Sequence, residues 1–199
     1  MDGLAGVNLA VQTPFKDDGS IDYHRWEALL DVYADSGVHG ILLSSGTGQH
    51  AYLTEAECNE LFRTGVRRIN GRTRILCQTS ALNLEEVIRR SKTAEALGAE
   101  AVLILPPFFE GPTHDDGIFA FYERIDRELG IDVIGYNIPQ ATNITLTPKL
   151  YHRLLSLKNF KYIKESSGNL TRQQALIQTG GRVLNGADCN TVFSLLAGC

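Results

Sequence analysis

Short runs rich in valine, isoleucine and leucine alternate with longer segments of helical periodicity along all 199 residues of the chain. The predicted strands are Gly6–Pro14, Gly40–Ser45, Arg74–Ser80, Ala101–Pro106, Asp132–Asn137, Phe160–Ser166 and Arg182–Asp188. The predicted helices are Tyr23–Ser36, Thr54–Ile69, Leu84–Leu97, Asp116–Leu129, Pro148–Leu157 and Leu170–Thr179, with a last helix beginning near Asn190. This alternation is typical of a parallel α/β protein, and the absence of a linker predicts a single domain over residues 1–199.

Nearly every predicted strand ends in polar or glycine-bearing residues. These ends are Ser44-Ser45-Gly46, Gln78-Thr79-Ser80, Tyr136-Asn137, Lys164-Glu165-Ser166 and Asn185-Gly186-Ala187-Asp188. Catalytic groups come from many strand ends in a (βα)8 TIM barrel, whereas an open doubly wound sheet concentrates them at one switch point. The pattern therefore favours the barrel. Because a barrel has eight strands and about 250 residues, a shortened member lacking the eighth strand and the C-terminal helices is expected.

Composition excludes several classes of function. Nineteen basic and 23 acidic residues give a net charge of −4. The sequence contains no run of basic residues of the kind that would indicate a nucleic-acid partner. No apolar run approaches the length needed to span a membrane. The four cysteines have no metal-binding spacing, so reduced thiols in a cytoplasmic protein are predicted, with no metal and no cofactor.

The turn Gly46-Thr47-Gly48-Gln49-His50-Ala51 comes after a predicted strand and precedes a predicted helix. It matches G-x-G-x-x-A, but a dinucleotide site also needs an acidic residue at the tip of the next strand, which is Gln78-Thr79-Ser80. Two interpretations remain. The backbone N–H groups at a helix start could hold a carboxylate or phosphate, or the segment could be only a tight turn.

Lys164 lies at the end of a predicted strand, where an apolar residue would be less costly. Strand alternation predicts that it shares a face with Phe160 and Tyr162, and that this face points inward. Burial would lower the pKa of the amine, and a neutral amine is the nucleophile that forms a Schiff base with a ketone or aldehyde. The alternative is a lysine that reaches solvent or pairs with Glu165.

Tyr136 lies at the tip of the strand that precedes the one carrying Lys164. Neighbouring parallel strands bring their tips together, so the phenol and the amine are predicted to share one site. A phenol in this position can transfer protons to and from a carbinolamine or an aldol oxygen. An aromatic residue at the rim, with no chemical role, is the alternative.

These motifs, in this order, resemble those of the dihydrodipicolinate synthase and N-acetylneuraminate lyase family. The resemblance rests on Gly46-Thr47-Gly48, on Tyr136-Asn137-Ile138-Pro139 and on Tyr162-Ile163-Lys164-Glu165-Ser166-Ser167-Gly168-Asn169. It implies a (βα)8 barrel, a class I aldolase-type lyase, and usually a homotetramer. It also implies that Lys164 forms the Schiff base with pyruvate or another 2-keto acid, that Tyr136 moves protons, and that Thr47 orients the Tyr136 hydroxyl. The substrate carboxylate would lie on Gly46, Thr47 and Gly48, with Gly186 near the bound keto acid.

Several departures from the dihydrodipicolinate synthase pattern concern the second substrate. Only Thr47 stands where those enzymes have two adjacent threonines, and Gln49 replaces a glutamate. Their interface tyrosine would fall in Pro107-Phe108-Phe109-Glu110, which has no phenol, and their arginine would fall near Gln140-Ala141-Thr142, where none stands. Tyr162 also occupies a position where a small residue is common.

The sequence therefore predicts a lyase, either an aldolase or a dehydratase, that acts on a 2-keto-3-deoxy sugar acid. An aldehyde would be its product or its second substrate. Gln140, Thr142 and Asn143 are candidate partners for substrate hydroxyl groups. Two alternatives stay open: 4-hydroxy-tetrahydrodipicolinate synthase, or a catalytically impaired homologue that binds a keto acid.

Overall fold

The computed structural model describes residues 3–199, and residues 1 and 2 lie outside the described part. The strands are β1 (Asn8–Ala10), β2 (Gly40–Leu43), β3 (Arg74–Gln78), β4 (Ala101–Ile104), β5 (Asp132–Asn137), β6 (Phe160–Glu165) and β7 (Arg182–Asn185). The helices are α1 (Tyr23–Asp35), α2 (Glu55–Ile69), α3 (Leu84–Leu97), α4 (Asp115–Asp126), α5 (Pro139–Thr142), α6 (Pro148–Leu154), α7 (Leu170–Ile177) and α8 (Thr191–Ala197). Two 3-10 turns cover His50–Tyr52 and Asp188–Asn190.

The strands form one sheet whose order is that of the chain, from β1 to β7. Strands β1, β2 and β3 pair in parallel, as do β5, β6 and β7. The seven predicted strands and the alternation with helices are confirmed. Most strands are shorter than predicted because their polar C-terminal tips leave the ladder. No helix of the described chain has the length and apolar character that crossing a membrane requires.

By the clustering of its contacts, the chain divides into two compact units. Unit 1 contains Met1–Thr79 and Arg90–Val102, and unit 2 contains Ser80–Arg89 and Leu103–Cys199. The core of unit 1 includes Trp26 and Leu30 of α1 and Phe62 of α2, which are buried completely. That a single domain covers residues 1–199 stays a prediction.

The core of unit 2 is built around the ring of Phe160. This ring contacts Tyr122 of α4 edge-on, with 4.9 Å between centroids, and Tyr151 of α6, with 6.2 Å. The hydroxyl of Tyr122 donates to the carbonyl of Ile104, and that of Tyr151 donates to the carbonyl of Arg182. Buried tyrosines thus keep their polar atoms paired while they fill the space between strands and helices.

Local signals explain where the helices begin and end. The predicted capping box is present: the Thr54 hydroxyl accepts from the Glu57 N–H, and the Glu57 carboxylate accepts from the Thr54 N–H. Helix α4 ends at Asp126 and not at the predicted Leu129. The Asp126 carboxylate and the Leu129 carbonyl both accept hydrogen bonds from Asn159, which ties the chain after α4 to the start of β6.

Strand β6 contains an irregularity that corrects one prediction. Val133 pairs with Phe160 but the next residue, Ile134, pairs with Tyr162, so Lys161 is an extra residue in the ladder. A one-residue bulge exchanges the faces of the strand on its two sides. The prediction that Phe160 shares a face with Lys164 is therefore wrong, although Tyr162 does share it.

The helix α5 was not predicted from the sequence. It is a single turn that begins just after β5, with Pro139 as its first residue. Asn143, which caps its C-terminal end, has a left-handed backbone (φ 56°). Proline fits the first turn of a helix because its missing N–H would be unpaired there. So short an element carries no periodicity that sequence reasoning could detect.

Candidate active site

Lys164 lies near the end of β6, paired in register with Tyr136 of β5 and with Leu184 of β7. Its Nζ lies 4.6 Å from the centroid of the Tyr136 ring. Burial lowers the pKa of Lys164 to about 8, and the carboxylate of Asp188 opposes this shift. The predicted proximity of amine and phenol at neighbouring strand ends is present.

The lowered pKa changes what the amine can do at neutral pH. With a pKa of about 8, roughly a quarter of the amine is neutral at pH 7.5, compared with about one in a thousand for an ordinary lysine. Only the neutral form has the lone pair that attacks a carbonyl carbon. The Lys164 amine is therefore neutral far more often than that of an ordinary lysine, without a separate base to deprotonate it.

Tyr136 is buried, with 8% of its surface exposed. Burial raises the pKa of Tyr136, and the nearby Ser166 side chain lowers it by a smaller amount. The phenol is consequently protonated at neutral pH, and its O–H is available to donate. Lys164 and Ser166 flank this ring from the neighbouring strand end, which gives the pair a place to exchange a proton with a bound molecule.

Gly186 closes the other side of Lys164. A Cβ atom at this position would lie 1.9 Å from Ser166 Oγ and 3.0 Å from Lys164 Cε. The backbone of Gly186 also donates to the Glu165 carbonyl at 2.8 Å. Only glycine lets the chain after β7 approach the lysine so closely.

The turn Gly46–Gly48 lies in unit 1, after β2. A Cβ at Gly48 would lie 3.0 Å from the carbonyl oxygen of Val11, and the hydroxyl of Thr13 donates to the Gly48 carbonyl at 2.8 Å. Ser44 and Gln49, on either side, have left-handed backbones with φ of 48° and 61°. Strained residues and a close backbone approach indicate a turn whose shape is specified in detail.

A 3-10 turn that was not predicted, His50–Tyr52, comes directly after this turn. Helix α2 then begins at Glu55, within one residue of the predicted start at Thr54. The N–H groups of Gln49 and His50 donate to carbonyls within the turn. An anion would thus be held by the backbone of Gly46 and Thr47, which are exposed, and not by the N-terminus of an α-helix. Their participation in one site with Lys164 stays a prediction.

Two residues near Lys164 were not singled out by sequence reasoning. Ser166 is only one member of a motif in the sequence, yet it lowers the pKa of Tyr136, and its hydroxyl is the atom that a Cβ at Gly186 would meet first. Asp188 was seen only as a polar strand end, yet it is the charged group that acts on Lys164. The signal that could have found both is their position just past a strand end that carries a candidate group.

The segment after β5 gives less support to its predicted contacts with substrate. The hydroxyl of Thr142 is buried and makes hydrogen bonds within α5 and with Ile144. The amide nitrogen of Gln140 donates to the Ser166 carbonyl at 2.7 Å. Thr142 is therefore occupied by the backbone, whereas Gln140 and Asn143 are exposed.

The loop after β4 carries the two phenylalanines. Phe109 is 76% exposed, and both Phe109 and Glu110 have left-handed backbones, with φ of 58° and 56°. A Cβ at Gly111 would lie 2.8 Å from Pro107. The loop is thus tightly folded and presents an aromatic ring to solvent.

A sequence model described as the dihydrodipicolinate synthetase family matches residues 3–199. The chain belongs to the dihydrodipicolinate synthetase family. Its fold is accordingly α/β, that of a (βα)8 TIM barrel, with seven of the strand-helix units present in this chain.

Similar proteins are found both by sequence and by structure. The 4-hydroxy-tetrahydrodipicolinate synthase of Stenotrophomonas maltophilia is 34% identical over 198 residues, which cover 98% of this chain. The dihydrodipicolinate synthase of Acinetobacter baumannii, crystallised with pyruvate, superposes with a TM-score of 0.95 at 28% identity over 99% of this chain and 68% of its own. YagE of E. coli K12, a prophage family member also crystallised with pyruvate, superposes with a TM-score of 0.93 at 26% identity over 97% of this chain and 67% of its own.

The present chain spans 66% of the length of the Stenotrophomonas protein.

Among residues 3–199 no group of three or more histidine, cysteine, aspartate and glutamate side chains could hold a metal ion.

Proposed function

We propose that this family member is a lyase that forms a Schiff base between Lys164 and pyruvate or another 2-keto acid. The observation that carries the proposal is the lysine amine, whose pKa is lowered to about 8 and which lies 4.6 Å from the centre of the Tyr136 ring. Two solved relatives are described as pyruvate complexes, which supports the same class of ligand.

The proposed chemistry begins with attack of the neutral amine on the C2 carbonyl carbon. The carbinolamine loses water to give a protonated imine, and Tyr136 supplies the proton that departs with this water. In cleavage, the deprotonated Tyr136 takes the proton of the C4 hydroxyl, the aldehyde leaves, and the imine accepts the electrons of the C3–C4 bond to become an enamine, which Tyr136 then protonates at C3. In dehydration, Tyr136 instead takes a proton from C3, and the enamine expels the C4 hydroxyl group, which leaves as water with that proton. Hydrolysis of the imine then frees Lys164. The turn Gly46-Thr47-Gly48 would hold the carboxylate, and Thr47 would orient the Tyr136 hydroxyl.

The substrate class proposed is a 2-keto-3-deoxy sugar acid. No arginine stands in the segment Gln140–Thr142 to hold a second carboxylate, and the loop Pro107–Glu110 offers phenylalanine where a proton-transferring phenol would be needed. The exposed amides of Gln140 and Asn143 suit the hydroxyl groups of a sugar acid better than a carboxylate.

A second candidate is 4-hydroxy-tetrahydrodipicolinate synthase. It is favoured by the names of curated relatives that are 34% identical to this chain. The two candidates separate when the purified protein is offered pyruvate with aspartate semialdehyde, or a 2-keto-3-deoxy sugar acid alone. Release of pyruvate from the sugar acid, or its conversion to a dehydrated product, supports the first candidate, and consumption of pyruvate only with the semialdehyde supports the second. A tetramer is proposed by resemblance for either candidate, and sedimentation velocity measures it.

The Schiff base itself is tested by borohydride trapping. We expect reduction in the presence of pyruvate to add one reduced pyruvyl group, located on Lys164 by peptide mapping, and we expect Lys164→Ala to remove it. Lys161→Ala is the matched control, because Lys161 lies in the same strand but pairs with Asp132 at the surface. A folded parent protein without an adduct would overturn the proposal.

A further inference from the structure

The carboxylate of Glu165, the residue after Lys164, is almost completely buried, with 2% of the residue exposed. One oxygen, Oε2, accepts from the side-chain amide of Asn137, and the other, Oε1, accepts from the Ser167 N–H at 2.7 Å. In the part of the chain that the structure describes, no cation pairs with it. Hydrogen bonds from neutral donors therefore hold this buried charge in place.

Asn137 is completely buried and makes bonds in two further directions. Its Oδ1 accepts from the Leu146 N–H at 2.9 Å, and its backbone carbonyl accepts from the Ser166 N–H at 2.9 Å. Since the amide oxygen is already used, the amide of Asn137 can only donate to Glu165. The orientation of the Asn137 side chain is thus determined by its partners.

This pair lies directly behind the residues proposed to do the chemistry. In the ladder of β5 and β6, Asn137 pairs with Glu165 in register, next to the pair Tyr136 and Lys164. Because successive side chains point to opposite faces, the carboxylate lies on the face opposite the lysine. It fixes the strand ends without contacting a substrate bound to Lys164.

We infer that Glu165 and Asn137 are positioning residues, whose hydrogen bonds hold Lys164 and the Ser166–Ser167 turn in reactive geometry against Tyr136. The inference rests on the proposed function, since it assigns the pair a role in Schiff-base formation. A reacting amine displaced by a fraction of an ångström loses much of its rate, so a support of this kind is measurable in kinetics.

The carboxylate is needed because both its oxygens accept. In Glu165→Gln, the new amide has one oxygen and one NH2 group. Its oxygen can accept from only one of the two donors, so its NH2 group would face the other donor, either the Asn137 amide or the Ser167 N–H. The second substitution Asn137→Asp removes this conflict: the new aspartate accepts from Leu146 N–H and from the new glutamine, whose oxygen accepts from Ser167 N–H. The double variant restores every hydrogen bond, with donor and acceptor exchanged in the bond between the side chains at positions 137 and 165.

The experiment measures the rate of borohydride-trapped adduct on Lys164 against pyruvate concentration for the full chain. We expect Glu165→Gln to lower the maximal trapping rate at least about tenfold, with little change in the half-saturating pyruvate concentration. The double variant Asn137→Asp, Glu165→Gln is expected to recover to within about threefold of the parent. Glu123→Gln, at a half-buried glutamate on α4 paired with Arg127, is the matched control and should equal the parent.

Each outcome decides the inference. If Glu165→Gln reacts like the parent, or if the folded double variant is no faster than the single variant, the inference is overturned while the proposed function stands. If Glu165→Gln does not fold, the double variant alone gives the decision, by recovering the parent's rate or failing to. If the parent itself forms no adduct, the proposed function is overturned, and the positioning role falls with it.

Discussion

The turn after β2 and the paired ends of β5 and β6 are built in different ways. At the turn, specificity resides in the backbone: Gly48 packs against a carbonyl, and Ser44 and Gln49 have left-handed conformations. At the ends of β5 and β6, specificity resides in side chains with ionisable groups, the half-buried Lys164 and the buried Glu165. The first arrangement suits binding of an anion through N–H groups, and the second suits covalent chemistry.

The difference shows which substitutions should affect which property. A backbone-defined turn is disturbed by a Cβ added where the backbone packs closely, as at Gly48, and the cost appears mainly as lost stability. A site that depends on charged side chains tolerates a change in the shape of a side chain better than a change in its hydrogen-bonding groups or its pKa. The cost of such a change appears as a lower reaction rate.

Tyr136→Phe should give the largest effect that leaves the fold intact. Removing the phenol removes the proposed proton donor, so we expect the rate of adduct formation to fall about a hundredfold. Burial of the ring is kept, so the melting temperature should change little. The measurement is the trapping rate at saturating pyruvate, with Tyr33→Phe on α1 as the control. An unchanged rate would assign the proton transfer to another group.

Gly186→Ala and Gly48→Ala compare the two regions directly. At Gly186 the new methyl group meets the Ser166 hydroxyl and Lys164 Cε, which are side-chain atoms that can move, so the trapping rate should fall about tenfold with a small change in stability. At Gly48 it meets backbone atoms of Val11 and Ser44, so the free energy of unfolding should fall by about 1–2 kcal/mol. Thermal melts and trapping rates on both variants check this. If only Gly186→Ala lost stability, the expected difference between the two regions would be contradicted.

Asp188→Asn should give the smallest effect, a displacement of a pH profile. The trapping rate is expected to rise with pH through about 8, since only the neutral amine of Lys164 reacts. The Asp188 carboxylate favours the ammonium form and raises the pKa of Lys164, so its removal moves the profile to lower pH. At pH 7 the variant should then react up to about threefold faster. Asp17→Asn, an exposed aspartate in unit 1, is the control, and a profile that moves to higher pH would contradict the assignment.

The fold was largely predictable because strand and helix periodicities differ and because glycine and proline mark the boundaries. β5 is predicted to the residue, and α3 likewise. The features that the sequence could not predict depend on single partners across space. The end of α4 is bonded to Asn159, 33 residues after Asp126, and the short α5 has no periodicity at all.

The candidate site was predictable as far as strand ends allow. Lys164, Tyr136 and Gly186 come together because neighbouring parallel strands end at the same edge. The position of Asp188 just past a strand end is a signal that the sequence contains, but the bonding of Glu165 to Asn137 was beyond prediction, since it depends on which groups meet across the ladder. The bulge shows the difficulty, because simple alternation places Phe160 on the wrong face.

That bulge also bears on how such a chain can change over evolutionary time. Lys161 is the extra residue, and the faces of everything after it in β6 depend on its presence. Loss of its single codon, with the reading frame kept, would exchange the positions of Lys164 and Glu165 and turn the amine toward the helices. A gene encoding this strand can therefore accept many substitutions more readily than one deletion.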